Sequence, residues 1–353
     1  MILLSSIGRS FCKRKMKQYG VVLIGCGHIG KEHISDIYYR DAVRIKAVID
    51  KDIGRAQAFQ RRYCAEAADT EYSPYLDRED VDIVIIATPA SCHVKMLEDA
   101  VQRGKHVLCE KPLALTAEDG QRFYDLCKQS KSCVSVGYIL RYNDTFCKVK
   151  ELIDSGTIGK LKLARMVQNH HIMEMERYHG LLRECSPLLD CGVHYFDLLQ
   201  WISGGSIQAV SGFGTKIEPD FTDVAMDYGV ANLFLDNGVV GYYEAGWSRS
   251  IPSSNVKEFI GEKGSISVTL QQFRGNHTEE GDLIEIYHND TGCYETINVP
   301  CEYKPMYRQL CALIDRIEGR ESQAPTIEEA YRAFCVGIAA DAAAKTGKRI
   351  QIM

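Results

Sequence analysis

The sequence predicts an α/β chain in two parts: an N-terminal doubly wound parallel sheet and a C-terminal α+β domain with a large, mostly antiparallel sheet. Three observations predict it. Short apolar runs of branched residues alternate with helical periodicities as far as Gly137. A glycine-rich turn joins the first apolar run to the first helical pattern. Beyond Gly137, strand-like segments follow one another with turn signals between them. At 353 residues the chain has the length of two ordinary domains. The boundaries read as 1–17 for a disordered extension, 18–138 for the first domain and 139–353 for the second.

Gly20–Gly25 reads as a buried parallel strand, a short run of branched apolar residues. It leads into Gly25-Cys-Gly27-His-Ile-Gly30, and Ile29, His33 and Ile37 continue with helical spacing. A second strand, Arg44–Ile49, ends in Asp50, which lies 20 residues past Gly30. Strand, glycine turn, helix and acid in this order form the dinucleotide fingerprint of a Rossmann domain. Gly25 permits the tight turn, Gly27 leaves the backbone open to a pyrophosphate, and Gly30 lets the helix approach the strand. The helix N-terminus, with His28 and Ile29 in its first turn, offers free N–H groups to phosphates. Asp50 accepts from both ribose hydroxyls and repels a 2′-phosphate, which argues for NAD over NADP, although Lys51 adjoins it.

The alternation continues through a strand at Asp82–Ala87 ending in Thr88-Pro89, a helix at Ser91–Arg103 and a strand at His106–Cys109. A helix at Thr116–Ser130 and a strand at Cys133–Gly137 complete the first part. Ligands on such sheets lie beyond the carboxyl ends of the strands, where Thr88, Pro89, Glu110 and Lys111 fall. Lys111 precedes Pro112, which keeps it extended and places its ammonium over the cleft.

A second chemical segment runs from Ser186 to Trp201. Ser186-Pro187 reads as a helix start, and Gly204-Gly205 as its end. Asp190, His194, Asp197 and Trp201 share one helical face. An Asp–His pair one turn apart reads as a base with its orienting partner, as a satisfied surface pair, or as half of a metal site with His170, His171 or Cys191. The metal reading lacks a ligand framework, and no metal is expected.

The sequence resembles the Gfo/Idh/MocA family of oxidoreductases. The matching segments are GCGHIG, AVID, ATP with His93 five residues after Thr88, GKHVLCEKP and LLDCGVHYFD, in family order from about Tyr19 onward. The resemblance implies that Lys111, Asp190 and His194 form the catalytic group, His194 as general base and the other two binding and polarising the reacting hydroxyl. It implies NAD as cofactor, contacted by Gly25, Gly27, His28, Ile29, Gly30, Asp50, Thr88, Pro89, His93, Glu110 and Lys111. The expected reaction is hydride transfer from a secondary alcohol of a sugar, sugar derivative or cyclitol. An alternative is a glycoside-cleaving enzyme using tightly held NAD in transient C3 oxidation and elimination. A non-catalytic dinucleotide sensor is disfavoured because both lysine and histidine are present. One departure stands out: the family commonly has a Gly-Gly pair before the DxGxH aspartate, and this chain has Cys185-Ser186-Pro187, preceded by His170-His171 and the loop Ile172–Arg177. Tyr138, Arg141 and His170 are candidates for substrate contact, alongside Asp190 and His194.

The second domain is expected to hold a helix at Thr145–Ser155, a strand at Lys160–Gln168 and several strands between Ile207 and Val299. Turn signals stand at Asp236-Asn237-Gly238, Gly261–Gly264 and Asn289–Gly292. Helices at Met306–Glu318 and Ile327–Thr346 close the chain, the second packing back near the first domain. The resemblance implies a homodimer or homotetramer through the open face of the sheet.

Composition sets the remaining expectations. The net charge of −5 gives no footprint for nucleic acid, and no apolar run has the length of a membrane span. Fourteen cysteines without a CxxC ladder read as free, mostly buried thiols of a reducing, cytoplasmic compartment.

Overall fold

A computed structural model describes residues 17–172, 184–220, 224–275, 280–302 and 304–352. The expectation of a disordered extension concerns positions that lie, but for Lys17, outside these residues. So does most of the loop after Ile172.

The first layer is a six-stranded parallel sheet. Its strands are β1 (Tyr19–Ile24), β2 (Val43–Ile49), β3 (Ala68–Asp69), β4 (Ile83–Ile86), β5 (His106–Cys109) and β6 (Val134–Val136). They lie side by side in the order β3-β2-β1-β4-β5-β6. The order reverses between β1 and β4, which opens a crevice at their carboxyl ends. Every residue of β1 is buried, which explains its unbroken apolar sequence. Helices α1 (His28–Ile37), α2 (Ile53–Tyr63), α3 (Ser73–Leu76), α4 (His93–Gln102) and α5 (Ala117–Gln129) make the crossovers.

The sequence reading passed over α2, α3 and β3. Helix α2 buries only Ala56 and Tyr63, so its apolar stripe is too thin to register, and β3 has two residues. Helix α2 is held instead by its ends. Asp52 caps it by accepting from Gly54 N and Arg55 N, and Cys64 closes it in the left-handed region at φ 54°.

The second layer is a nine-stranded sheet entered through α6 (Asp144–Asp154). Its strands are β7 (Leu161–His171), β8 (Ile207–Thr215), β9 (Tyr228–Leu235), β10 (Val240–Ser248), β11 (Lys257–Gly261), β12 (Gly264–Thr269), β13 (Asp282–His288), β14 (Tyr294–Val299) and β15 (Ile350–Gln351). The order is β14-β13-β12-β11-β7-β10-β9-β8-β15, antiparallel except where β7 and β10 run parallel. All three turn signals join strand pairs as expected, Gly238 and Gly292 with positive φ. Ala164, Met166, Leu233, Tyr243, Phe259 and Ile266 fill the inner face. Helices α7 (Pro187–Asp190) and α8 (Gly192–Ser203) lie between this face and the first domain. Pairing register sets Phe213, Asn232, Tyr242 and Val240 on the opposite, outer face.

Helices α9 (Met306–Ile317) and α10 (Ile327–Thr346) return to the first domain. Helix α10 touches α5 and β6 on one side and β8, α7 and α8 on the other. Its small residues allow this double approach. A Cβ on Gly337 would lie 2.9 Å from side-chain atoms of both Leu189 and Val193, the residues flanking Asp190 and His194. A capping box between Thr326 and Glu329 starts the helix, and Gly347 ends it. Phe334 is fully buried in the core shared with Phe123, Leu189 and Val193. Phe334→Ala is expected to lower the unfolding free energy by about 3–5 kcal/mol in urea denaturation. An unchanged midpoint would show that α10 is no brace.

Candidate active site

The cofactor side is built by the turn between β1 and α1. A Cβ at Gly30 would lie 1.9 Å from the Gly25 carbonyl oxygen, so only glycine lets the helix start this close. Gly25 itself sits at φ +103° against the Ala87 carbonyl. Gly27 differs: a Cβ there would meet nothing within 4 Å. Gly27 is also the N-cap of α1, with no side chain capping the helix. The positive end of α1 therefore faces open space, which fits an anion such as a pyrophosphate. Asp50 stands at the neighbouring strand end. Its Oδ2 accepts from Cys26 N at 2.8 Å and its Oδ1 from Asp52 N at 3.0 Å. The carboxylate thus holds the glycine turn and keeps a further lone pair on each oxygen for ribose hydroxyls.

His28 is exposed and Ile29 half-buried in the first turn of α1; Thr88 and Pro89 flank the crevice after β4. His93 does not face the crevice. It is 0% exposed, with Nδ1 2.8 Å from the Pro112 carbonyl and Nε2 3.0 Å from the Thr88 carbonyl. Its ring ties the loop after β4 to the loop after β5, a positioning role in place of the expected cofactor contact.

The chemical centre forms where the two domains meet. Lys111 follows β5, and its Nζ lies 2.8 Å from Asp190 Oδ1 and 3.1 Å from the Asp190 carbonyl oxygen. Asp190 is 1% exposed, at the end of α7, whose start is capped by Ser186 accepting from Leu189 N. A carboxylate this buried needs a cation, and the lysine supplies it. His194, in the first turn of α8, lines the adjoining cavity. Burial first, and then the Lys111 charge, push its imidazole down to about 3. Its Nδ1 is buried with no hydrogen-bond partner among the described residues. The expected long helix is interrupted at Cys191, and Asp190 turns to Lys111 and the Cys191 thiol rather than to His194. The reading of Asp190 as the orienting partner of the histidine ring is thereby corrected.

Glu110 closes the other side. Its Oε1 lies 2.7 Å from His33 Nε2, and both residues are buried. Burial alone would raise this carboxyl, but the hydrogen bond and charge of His33, with Lys111 beside it, hold it at about 2. Glu110 therefore stays anionic between His33 and Lys111. His33 was read only as a helix-face residue; its place three positions after Gly30 was the signal available.

Next to His194 is a cavity of about 420 Å³. Ile139, Leu140, Phe146 and Leu270 form an apolar wall, and Asn143, Gln168, Asn255, Gln271 and Gln272 bring carboxamides. Of the five substrate candidates only His194 lines it; Tyr138, Arg141, His170 and Asp190 do not. Tyr138 is 0% exposed and donates its hydroxyl to the Ala330 carbonyl at 3.0 Å. Arg141 is buried in a two-pronged bond to Asp197, 2.8 Å to Oδ2 and 2.7 Å to Oδ1, with Glu329 at 3.3 Å. Asp197 consumes the donors the substrate reading required. His170 is half-buried near Asp190, and burial lowers its pKa.

Among the described residues no group of three or more His, Cys, Asp or Glu side chains could hold a metal ion. No helix among them is long and apolar enough to cross a membrane. The described cysteines are all free, but only Cys26, Cys109 and Cys185 are fully buried, so the expectation of mostly buried thiols fails.

Two family models match the chain. One, described as an oxidoreductase family with an NAD-binding Rossmann fold, covers residues 19–138. The other, a GFO/IDH/MocA C-terminal domain, covers residues 146–267. Inositol 2-dehydrogenase 2 of Saccharopolyspora erythraea is 30% identical over 258 residues, 70% of this chain and 72% of that protein. The scyllo-inositol 2-dehydrogenase (NAD(+)) of Bacillus subtilis is 28% identical over 259 residues, 71% of this chain and 74% of that protein. In fold, the crystal structure of a putative myo-inositol dehydrogenase from Sinorhizobium meliloti superposes with a TM-score of 0.78 at 23% identity, covering 95% of this chain and 100% of that one. A glycine cradle fit for a dinucleotide, a lysine–aspartate pair across the domain boundary and these matches lead to one assignment: the chain belongs to the Gfo/Idh/MocA family of oxidoreductases and carries its NAD-binding Rossmann domain.

Proposed function

We propose that the chain oxidises one secondary alcohol of a sugar, sugar derivative or cyclitol, with NAD preferred over NADP. The observation that carries this reading is the Lys111–Asp190 pair, 2.8 Å apart, beside a histidine at the edge of a cavity. Bound on the glycine cradle, the nicotinamide would supply the hydride acceptor. The residues handle the proton and the charge. His194, neutral because burial and Lys111 depress it, takes the hydroxyl proton. The Lys111 ammonium donates to the same oxygen and stabilises its developing negative charge. Asp190 holds the ammonium in place by accepting from it. Similarity to proteins named inositol 2-dehydrogenase supports a ring polyol as substrate. The outer face of the nine-stranded sheet, with Phe213 and Val240 exposed, supports a homo-oligomer.

The test is native mass spectrometry of the purified protein, followed by a panel of polyols and glycosides with NAD. Net NADH from at least one polyol is expected. Copurified NAD, cleavage of a glycoside and no net NADH would replace this reading with the glycoside-cleaving one. His194→Ala is expected to lower kcat by roughly 10²–10⁴-fold, the usual worth of a general base. Because the ring is held well below the ordinary value of about 6.5, at about 3, kcat/KM should stay level as the pH falls through 6.5 and be lost only as the pH approaches about 3. An acid limb centred near 6.5 would contradict a depressed His194. Asp50→Gly should shift the NADP/NAD ratio of kcat/KM toward NADP by roughly tenfold, about 1.4 kcal/mol.

A further inference from the structure

Strand β7 and the segment leading into β11 set two carboxamides opposite each other inside the cavity. Val167 pairs with Val256 through backbone bonds of 2.8 and 3.1 Å, and Asn169 pairs with Ser254 through bonds of 2.8 and 3.1 Å. Gln168 therefore stands directly across from Asn255. Side chains so paired leave one face of the sheet with Cβ atoms about 4.5–5.5 Å apart. Both line the same cavity as His194.

The orientation of Asn255 is fixed from below. Lys257 is 1% exposed, and its Nζ donates to Asn255 Oδ1 at 2.5 Å, to the Val167 carbonyl at 2.8 Å and to the Val256 carbonyl at 3.1 Å. Its ammonium also lies 4.6 Å from the centre of the Tyr195 ring. Three acceptors match its three donors. Burial pushes the Lys257 pKa well down, but two backbone carbonyls and the Tyr195 ring face favour the ammonium form, which only donates, so the atom of Asn255 that meets it is the oxygen and the NH₂ group is left for the cavity. Gln168 supplies the complement. Its Oε1 is buried with no hydrogen-bond partner among the described residues. A buried acceptor left without a partner is costly, and a bound group that donates to it removes that cost.

We propose that Gln168 and Asn255 together read one hydroxyl of the substrate, other than the reacting one, with Lys257 as the positioning residue that fixes the direction of reading. Asn255 Nδ2 donates to the hydroxyl oxygen and Gln168 Oε1 accepts its proton. Only a group that both accepts and donates suits this pair. A free hydroxyl does; a methyl ether, a deoxy carbon or a carboxylate at that ring position does not. The inference rests on the polyol reading of the site, and it adds which residues discriminate and what they require.

The test uses the full chain with saturating NAD and whichever of myo-inositol, scyllo-inositol and glucose yields NADH. Asn255→Asp keeps the shape and the bond to Lys257 but removes the donor. It should raise KM at least tenfold with kcat within about threefold. Gln168→Leu should do the same by removing the acceptor while keeping much of the side-chain volume. Lys257→Met should raise KM less, and in the Asn255→Ala background it should add nothing, because no amide remains to position. Mono-O-methyl and deoxy forms of the active polyol should show one ring position at which wild type discriminates and Asn255→Asp does not. Unchanged KM in both Asn255→Asp and Gln168→Leu would overturn the proposal. So would a Lys257→Met effect that adds fully to that of Asn255→Ala. Absence of NADH from every polyol with the wild-type chain would instead sink the underlying reading. Thermal unfolding of each variant separates a folding defect from a recognition defect.

Discussion

The rest of the site depends on the ion pair between Lys111 and Asp190. The two residues are 79 positions apart, one at the end of a parallel strand and the other at the end of a one-turn helix beneath the large sheet. Asp190 is almost wholly buried, and a buried carboxylate without its cation is strongly destabilising, by about 3–5 kcal/mol when the partner is removed. The pair therefore ties the end of β5 to the end of α7. It also fixes the electrostatics: the lysine charge adds to burial in keeping His194 neutral, while the neighbouring Glu110 is kept anionic by His33. The lysine charge thus reaches both neighbours, alongside burial at His194 and His33 at Glu110.

Everything packed nearby holds that contact. Helix α10 reaches both domains and presses with Gly337 on Leu189 and Val193, the neighbours of Asp190 and His194. His93 bridges the Thr88 and Pro112 carbonyls and so anchors the loop that carries Lys111. Arg141 and Asp197 neutralise each other behind α8 and keep that helix in register with α10 through Glu329. These residues act through others. Their chemistry resembles that of site residues, which is why His93 and Arg141 look functional in the sequence.

Much of the fold was legible because it is local. The glycine turn, the buried apolar strands and the turn residues at Gly238 and Gly292 each depend on neighbours within a few positions. The place of Asp50, next after β2 and beside the glycine turn, was legible by spacing alone. Lys111, Asp190 and His194 could be grouped only through a family resemblance, since nothing in spacing joins them. Tyr138, Arg141 and His93 were misread because their partners, the Ala330 carbonyl, Asp197 and the Pro112 carbonyl, are set by tertiary packing. The Gln168–Asn255 pair was illegible for the same reason: it exists only once β7 and the β11 segment are in register, 87 positions apart by number.

The most direct test of the account is single-turnover formation of NADH by Lys111→Met, at saturating NAD and with the polyol that serves the wild type. Methionine matches the length of the lysine stem and removes only the charge and its donors. The account predicts that NAD binds within about threefold of wild type while the rate of hydride transfer falls by roughly 10³ or more, about 4 kcal/mol of lost transition-state stabilisation. A transfer rate near that of the wild type, with the protein folded and NAD bound, would contradict it.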